Sequence, residues 1–215
     1  MKTALAYPKI PDTSNCPLKK CWAFEKYDGT NMHFTLDTRT GSTWSGFGTR
    51  RDYFEWTDEG WELFYQAHPE MKSMREDFEK ISYHLSETLC KQLTVVYQAP
   101  VVFAEWFGPN SFAGSHRAND KKELRIFDIQ INGKFLSPEE LVTNFASCNL
   151  AKVIYTGKYS GQLVEDIRNG KYPVVEGAVI KGIADKELYM AKVKTNTYLK
   201  KLQEQFKDNW QDYWE

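Results

Sequence analysis

The chain has 215 residues, of which 41% are hydrophobic and 27% are charged, as expected for a soluble globular fold with a substantial core. Its 28 Lys and Arg residues nearly balance 29 Asp and Glu residues, so any nucleic-acid-binding surface must be local. No apolar run approaches the ~20 residues that span a bilayer, and we expect a cytoplasmic protein that does not enter membranes. The four cysteines form no CxxC pair, which predicts free thiols and no zinc site.

The first predicted elements form a β-meander between Cys21 and about Arg51. Its strands CWAFEKY, MHFTLD and STWSGFGTR are separated by the turns DGTN and TRTG, whose Gly, Asp and Asn suit turn conformations. A helix is predicted between Thr57 and Pro69. A second, amphipathic helix follows, because six apolar residues recur at helical spacing: Met71, Met74, Phe78, Ile81, Leu85 and Leu89.

The rest of the chain reads as strands separated by short helices. Strands are predicted at 101–108, 123–131, 173–182 and 188–195, and a hairpin turn at Asn132 and Gly133. Ser137 followed by Pro138 predicts a helix start, and 197–214 predicts a final helix. This pattern predicts an α+β fold with mostly antiparallel sheet. With no linker or repeat, residues 1–215 are expected to form one domain.

Charged residues interrupt several of these apolar strands, at or near their ends. They are Lys26, Asp28, Arg50, Arg51, Glu105, Glu176, Lys181, Lys192 and Lys194. One such charge is common on an edge strand, where lysine discourages aggregation. Charges on five strands instead predict a shared polar site, and Lys192 and Lys194, two residues apart, should project from the same face.

In chain order, these residues resemble six motifs of the covalent nucleotidyltransferases, the superfamily of polynucleotide ligases and capping enzymes. The matching segments are Lys26-Tyr27-Asp28-Gly29 (KxDG), Thr49-Arg50-Arg51, 103–108, 124–129, Glu176 to Lys181 (EGxxxK) and Lys192 to Lys194 (KxK). The resemblance implies a ligase adenylation-domain, ATP-grasp-like fold. In that fold two mostly antiparallel β-sheets flank a nucleotide cleft, with helices at the periphery.

The resemblance also implies a role for each matched residue. Lys26 is the expected nucleophile, which would attack the α-phosphorus of ATP and retain AMP. Lys192 and Lys194 are the expected catalytic phosphate clamps, and Glu176 would help to hold Mg²⁺ or Mn²⁺. Glu105 and Arg51 would contact the ribose hydroxyls, with Arg50 as the alternative to Arg51. Phe127 would stack on the base, while its neighbour Asp128 would be structural. Glu25 is a further candidate for nucleotide binding, and Lys181 is either a phosphate contact or a solvated strand end.

The segment EKYDGTN is most similar to RNA ligases of the phage and editing type, and only 21 residues follow Lys194, which implies no OB-fold domain. We therefore expect a monomeric ATP-dependent RNA ligase that joins 5′-phosphate and 3′-hydroxyl ends, with or without an accessory protein or domain acting in trans. The resemblance places it in the bacterial cytoplasm, or in the host cytoplasm if it is phage-encoded. Alternatives are a minimal ATP-dependent DNA ligase and a non-catalytic module of the same fold. The module would bind nucleic-acid ends through Lys200, Lys201 and Trp210 or Trp214.

Two surface segments keep two interpretations each. The final helix either presents those lysines to nucleic acid or simply docks on the core through Leu199, Leu202 and Phe206, with its lysines in solvent. His116 and Arg117, within SFAGSHRANDKK, form either a basic mobile loop over the site or an ordinary solvated loop.

Overall fold

The computed structural model describes residues 6–39, 42–93, 99–117 and 119–213. They form two compact units, which lie within Met1–Pro8 and Gly29–Leu150 (unit 1) and within Lys9–Asp28 and Ala151–Glu215 (unit 2). Each unit holds one sheet, and every paired strand in both sheets is antiparallel. The predicted α+β class with two antiparallel sheets is therefore confirmed, whereas the nucleotide cleft and the single-domain organisation stay predictions.

Unit 1 is built on a six-stranded sheet with the order β4-β3-β2-β5-β6-β7. Its strands are Thr30–Asp37 (β2), Thr43–Thr49 (β3), Phe54–Glu55 (β4), Val101–Phe107 (β5), Glu123–Ile131 (β6) and Lys134–Phe135 (β7). The central strands β2 and β5 are rich in buried aromatic and aliphatic residues, so they supply much of the core. Residues 40 and 41 of the predicted TRTG turn lie outside the described residues.

The described residues of unit 1 contain three α-helices and a 3₁₀ segment at Pro69–Met71. The α-helices are Asp58–Ala67 (α1), Met74–Gln92 (α2) and Pro138–Phe145 (α3). Thr57 caps α1 by accepting a hydrogen bond from the backbone of Gly60, and Ser137 and Glu140 form a capping box on α3. The predicted apolar stripe packs on the sheet, since Phe78 of α2 stacks on Phe34 of β2 at 3.7 Å between ring centroids.

Unit 2 is built on a four-stranded sheet with the order β10-β9-β1-β8. Its strands are Lys20–Lys26 (β1), Val153–Lys158 (β8), Gly177–Ala184 (β9) and Glu187–Lys194 (β10). Its helices are Gly161–Arg168 (α4) and Asn196–Phe206 (α5), and a 3₁₀ segment follows at Lys207–Tyr213. Buried side chains of α4 pack on this sheet and form a second core.

The predicted meander is wrong in one respect. β1 does not pair with β2 but lies between β8 and β9 in the sheet of unit 2. The DGTN turn therefore connects two sheets instead of closing a hairpin. Strand β8 and helix α4 were not predicted, and β9 begins at Gly177, four residues after the predicted start.

Two expectations from composition can be compared with the structure. All four cysteines are free thiols, as predicted. Within the described part of the chain, no helix has the length and apolar character needed to cross a membrane.

Candidate active site

Strand pairing in unit 2 brings together residues that are far apart in the sequence. Strand β9 lies between β1 and β10, and Gly177, its first residue, is in register with Lys26 on one side and with Lys194 on the other. Glu176 immediately precedes Gly177. The motifs KxDG, EGxxxK and KxK therefore meet at the same end of one sheet.

Gly177 is required at this crossing because the strands approach closely. A β-carbon at this position would lie 2.0 Å from the carbonyl oxygen of Val193, far inside van der Waals contact. The glycine of the EGxxxK motif thus has a steric function, since it lets β10 come near enough for Lys194 to reach Glu176.

The side chains of Lys26, Glu176 and Lys194 form one ion-paired group, which we call the lysine–glutamate cluster. Nζ of Lys26 lies 2.8 Å from Oε2 of Glu176, and Nζ of Lys194 lies 3.0 Å from Oε1. The Glu176 and Lys194 side chains are 3% exposed, whereas that of Lys26 is 23% exposed. Lys26 is therefore the member of the cluster that a ligand in solution can reach most readily.

The electrostatics of the cluster favour charged groups despite its burial. Burial alone would raise the pKa of Glu176, but the charges and hydrogen bonds of Lys26 and Lys194 outweigh it and hold that pKa below the ordinary value. For Lys194, burial has the larger effect and lowers the pKa, assisted by the charge of Lys26 and opposed by Glu176. With two ammonium groups and one carboxylate, the cluster carries a net positive charge suited to phosphate.

Two residues that the sequence reasoning did not single out hold the cluster in place. The hydroxyl of Tyr198 donates to Oδ2 of Asp28 at 2.8 Å, and Lys194 lies over the Tyr198 ring, 4.9 Å from its centroid. The Thr195 hydroxyl accepts from the backbone nitrogen of Tyr198, and the Thr195 backbone nitrogen donates to the carbonyl oxygen of Glu176. Thr195 directly after KxK, where a helix begins, is the sequence signal that could have revealed this support.

The other candidates in unit 2 differ in burial. Lys181 is 1% exposed and lies over the ring of Phe24, 5.0 Å from its centroid. The interpretation of Lys181 as a solvated strand end is therefore wrong, while a phosphate contact stays a prediction. Lys192 is half-buried opposite Val179, and its backbone nitrogen donates to the Pro11 carbonyl.

Glu25, one residue before the expected nucleophile, is half-buried on β1. Its backbone nitrogen donates to the carbonyl of Lys152, just before β8, and it is in register with Ala178 of β9. The strand that carries Lys26 is thus held on both sides. A direct contact of Glu25 with the nucleotide stays a prediction.

In unit 1, Glu105 of β5 contacts the glycine of the KxDG motif. The backbone nitrogen of Gly29 donates to Oε1 of Glu105 at 3.1 Å. A β-carbon on Gly29 would lie 2.3 Å from the carbonyl oxygen of Trp106, so only glycine fits at this position. This backbone contact holds the Glu105 carboxylate, which is expected at the ribose, beside Gly29.

The arginine and aromatic candidates of unit 1 meet around Tyr7. Nε of Arg50 donates to the backbone carbonyl of Tyr7 at 2.9 Å, whereas Arg51 is exposed. Phe127 is half-buried and makes a T-shaped contact with the Tyr7 ring at 5.0 Å. Asp128, expected to be structural, is buried and accepts a hydrogen bond from the Tyr7 hydroxyl.

His116 does not add positive charge to its loop, contrary to the interpretation of that loop as basic. Nε2 of His116 lies 2.7 Å from the Thr30 hydroxyl and Nδ1 lies 3.1 Å from the Ser111 hydroxyl. Burial, together with the charge of Lys122, lowers the pKa of His116 to about 4, so the imidazole is neutral at pH 7. Arg117 is exposed, residue 118 lies outside the described residues, and the mobility of the loop stays a prediction.

The final helix supports the docking interpretation. Tyr198 and Leu202 of α5 are buried, Leu199 and Phe206 are half-buried, and Lys200 and Lys201 are exposed. Trp210 is half-buried in the 3₁₀ segment, and Trp214 lies outside the described residues.

The cluster fits a divalent metal only together with phosphate. Both oxygens of Glu176 already accept from lysines, and the described ranges contain no group of three His, Cys, Asp or Glu side chains that could hold a metal. Mg²⁺ usually keeps several waters and binds through one or two carboxylates and substrate phosphates. The donor set therefore suits a metal ion that arrives bound to a nucleotide.

A family model described as RNA ligase matches residues 19–194. A search of curated proteins finds no match. The fold is similar to a Naegleria gruberi RNA ligase with PPi (TM-score 0.61, 14% identity, 95% of this chain and 60% of that chain). It is also similar to a mutant of that ligase with ATP and Mn (TM-score 0.59, 16% identity, 94% of this chain and 59% of that chain). A third similar structure is an archaeal ATP-dependent RNA ligase (TM-score 0.53, 15% identity, 93% of this chain and 51% of that chain). This chain thus spans about 60% of the length of the Naegleria gruberi structures.

Proposed function

Since this chain belongs to the RNA ligase family, we propose that it joins RNA ends in an ATP-dependent reaction through a covalent lysyl-AMP intermediate. The single observation that carries this proposal is the lysine–glutamate cluster. It sets the lysine of KxDG, partly open to solvent, 2.8 Å from a buried carboxylate that a second lysine also holds.

The reaction proceeds in three balanced steps. Nζ of Lys26, after loss of its proton, attacks the α-phosphorus of ATP, so that a P–N bond forms, the α–β phosphoanhydride bond breaks and pyrophosphate leaves. An oxygen of the RNA 5′-phosphate then attacks the phosphorus of the lysyl-AMP, so that a phosphoanhydride bond forms, the P–N bond breaks and the amine of Lys26 leaves. A 3′-hydroxyl attacks this activated phosphate, AMP leaves, and a phosphodiester bond remains.

The residues of unit 2 would act on phosphate. An ammonium that donates to Glu176 has no lone pair for attack, so the pair between Lys26 and Glu176 must open as the nucleotide binds. Lys194 and Lys192 would bind phosphate oxygens, with Lys181 as a further phosphate contact. Glu176 would hold Mg²⁺ or Mn²⁺, whose charge would neutralise the phosphates.

The residues of unit 1 would hold the nucleoside. Phe127 would stack on the base and Glu105 would accept from the ribose hydroxyls. Of the two neighbouring arginines, Arg50 is the better candidate, because its Nε bond to the Tyr7 carbonyl holds the guanidinium beside the aromatic residues, whereas Arg51 is exposed. Glu25 supports Lys26 through the pairing of β1.

The first step is tested by incubating the protein with α-labelled ATP and Mg²⁺. The wild type is expected to acquire an acid-labile label on Lys26, located by peptide mass spectrometry, and Lys26→Ala should acquire none. Lys158→Ala, which removes an exposed lysine from the end of β8 in the same sheet, is the matched control and should label normally. An unlabelled wild type would refute nucleotidyl transfer and would favour a non-catalytic module that binds nucleic-acid ends.

The choice of RNA over DNA is tested separately with nicked duplexes. Proteins distinguish RNA through its 2′-hydroxyls, so nicked RNA, nicked DNA and single-stranded RNA should be compared at equal concentration. We expect faster sealing of RNA ends. A clear preference for nicked DNA would replace this proposal with a minimal DNA ligase.

We further propose that residues 1–215 act as one adenylation domain and that the chain functions as a monomer. A domain or protein acting in trans would supply whatever further contacts the RNA requires. Sedimentation with and without nicked RNA measures the oligomeric state, and a dimer would contradict the monomer.

A further inference from the structure

Tyr7 lies outside the six matched motifs, yet it contacts two residues proposed to hold the nucleoside. Its side chain is 3% exposed and belongs to unit 1 together with Arg50 and Phe127. Two hydrogen bonds tie its segment to Arg50: the backbone nitrogen of Ala6 donates to the Arg50 carbonyl at 2.9 Å, and the side-chain Nε of Arg50 donates to the Tyr7 carbonyl at 2.9 Å. The direction of the guanidinium is thereby fixed by residue 7.

The ring of Tyr7 is packed among three phenylalanines. Its centroid lies 5.0 Å from that of Phe127 at an interplanar angle of 82°, 5.1 Å from that of Phe103 and 5.6 Å from that of Phe135. An edge-to-face contact at this distance is favourable and specific in geometry. Because Phe103 and Tyr7 are buried while Phe127 is half-buried, Tyr7 supports the Phe127 ring from the protein side.

The hydroxyl of Tyr7 is anchored in turn. It donates to Oδ2 of Asp128, whose side chain is 1% exposed. Burial, followed by the charge of Asp128, raises the pKa of Tyr7 well above its ordinary value, so the hydroxyl remains a donor at physiological pH. A buried carboxylate loses much of its stabilisation when a donor is removed, which makes this bond a strong constraint on the ring.

We propose that Tyr7, held by Asp128, is a positioning residue that sets the Phe127 ring and the Arg50 guanidinium for the nucleoside of ATP. This inference rests on the proposed function, in which Phe127 and Arg50 contact the nucleotide. Tyr7 acts through these two residues, so its role is positioning and not catalytic.

The test measures the kinetics of lysyl-AMP formation for Tyr7→Phe, which keeps the ring and removes the hydroxyl. The KM for ATP should rise about tenfold, equivalent to 1.4 kcal/mol, while kcat changes less than twofold. Tyr65→Phe is the matched control, because Tyr65 is half-buried in α1 of the same unit against Trp61 and Phe64. Its KM should equal that of the wild type.

Variants of Asp128 separate positioning from general stability. Asp128→Asn keeps an oxygen that can accept from Tyr7, so its KM should rise less than threefold, whereas Asp128→Ala should match Tyr7→Phe. The double variant Tyr7→Phe/Asp128→Ala should raise the KM no further than either change alone, because both break the same bond. All assays are run well below each variant's thermal midpoint, so that a loss of stability alone leaves the KM unchanged.

The outcomes distinguish the two proposals. A wild type that forms no lysyl-AMP refutes the proposed function and this inference together. A wild type that forms it, with Tyr7→Phe at the wild-type KM or reduced only in kcat, overturns the role of Tyr7 alone. If Asp128→Ala does not fold, the comparison of Tyr7→Phe with Asp128→Asn still decides, since equal KM values for these two contradict the inference.

Discussion

Replacing Glu176 by Gln should destabilise the protein strongly, because the carboxylate is the buried counter-ion of two ammonium groups. The change keeps the size of the side chain and removes its charge. Lys194, whose side chain is 3% exposed, then retains a buried charge without its ion-pair partner. Removing one partner of a buried ion pair costs about 3–5 kcal/mol, and we expect a loss in this range at pH 7.

The pH dependence of this loss identifies its cause. In Glu176→Gln the folded-state pKa of Lys194 falls further below its ordinary value, so the folded state binds fewer protons than the unfolded state. Stability of the variant should therefore rise as the pH passes above the folded-state pKa of Lys194, and it should level off near pH 10, where the unfolded lysine deprotonates as well. The difference from the wild type, which itself loses the ion pairs at high pH, should be largest at pH 7 and shrink towards pH 10.

Urea unfolding followed by circular dichroism at pH 7, 8.5 and 10 measures these differences. Adding Lys194→Met to Glu176→Gln removes the buried ammonium that has lost Glu176 and should restore part of the lost stability, whereas the proposed nucleotidyl transfer should stay impaired. A loss below 1 kcal/mol at pH 7, or one independent of pH, would show that the cluster is solvated and that burial does not govern it.

Three further predictions concern Gly177, His116 and Thr195. Gly177→Ala should lower the free energy of unfolding by about 1–3 kcal/mol, because its β-carbon would lie 2.0 Å from a strand carbonyl oxygen. Gly161→Ala, with open space around the new β-carbon, should leave stability unchanged, and thermal melts of both variants measure the difference. His116 stays neutral in the folded state down to about pH 4, whereas in the unfolded chain it protonates below pH 6.5. The free energy of unfolding should therefore fall by up to about 2 kcal/mol from pH 7 to pH 5 in urea titrations. His116→Gln should not show this pH dependence. Thr195→Ala removes the N-cap of α5 and should lower the free energy of unfolding by about 1–2 kcal/mol. Thr197→Ala, on the exposed first turn of the same helix, should have little effect, and equal melting temperatures for the two variants would contradict the capping role.

The residues of the cluster were predictable because their charges interrupt apolar strands in a fixed order along the chain. Their meeting point was not, since the pairing of β1 depends on strands more than 120 residues away. A turn such as DGTN locally favours a hairpin, but burial of the apolar face of β1 against β8 and β9 decides the pairing. A short segment therefore predicts a turn, but the sheet that its flanking strands join depends on distant residues.

Three other features differ in how far the sequence could have revealed them. Tyr7 is one aromatic residue before a proline, without the periodicity that marks an element. Helix α4 did carry a signal, the capping residue Ser160, which accepts from the backbone of Leu163. His116 looked basic because its sequence neighbours are charged, whereas its protonation is set by burial, which depends on tertiary contacts.

The central place of β1 in its sheet has a consequence for synthesis on the ribosome. Both of its neighbours are translated much later, since Val153, the first residue of β8, follows Lys26 by 127 positions. At about 5–20 residues per second, the apolar segment around Phe24 waits roughly 6–25 s for a partner strand. A nascent chain stalled in that interval exposes an unpaired apolar strand that a chaperone can bind, and the lysine–glutamate cluster cannot form until Lys194 has been translated.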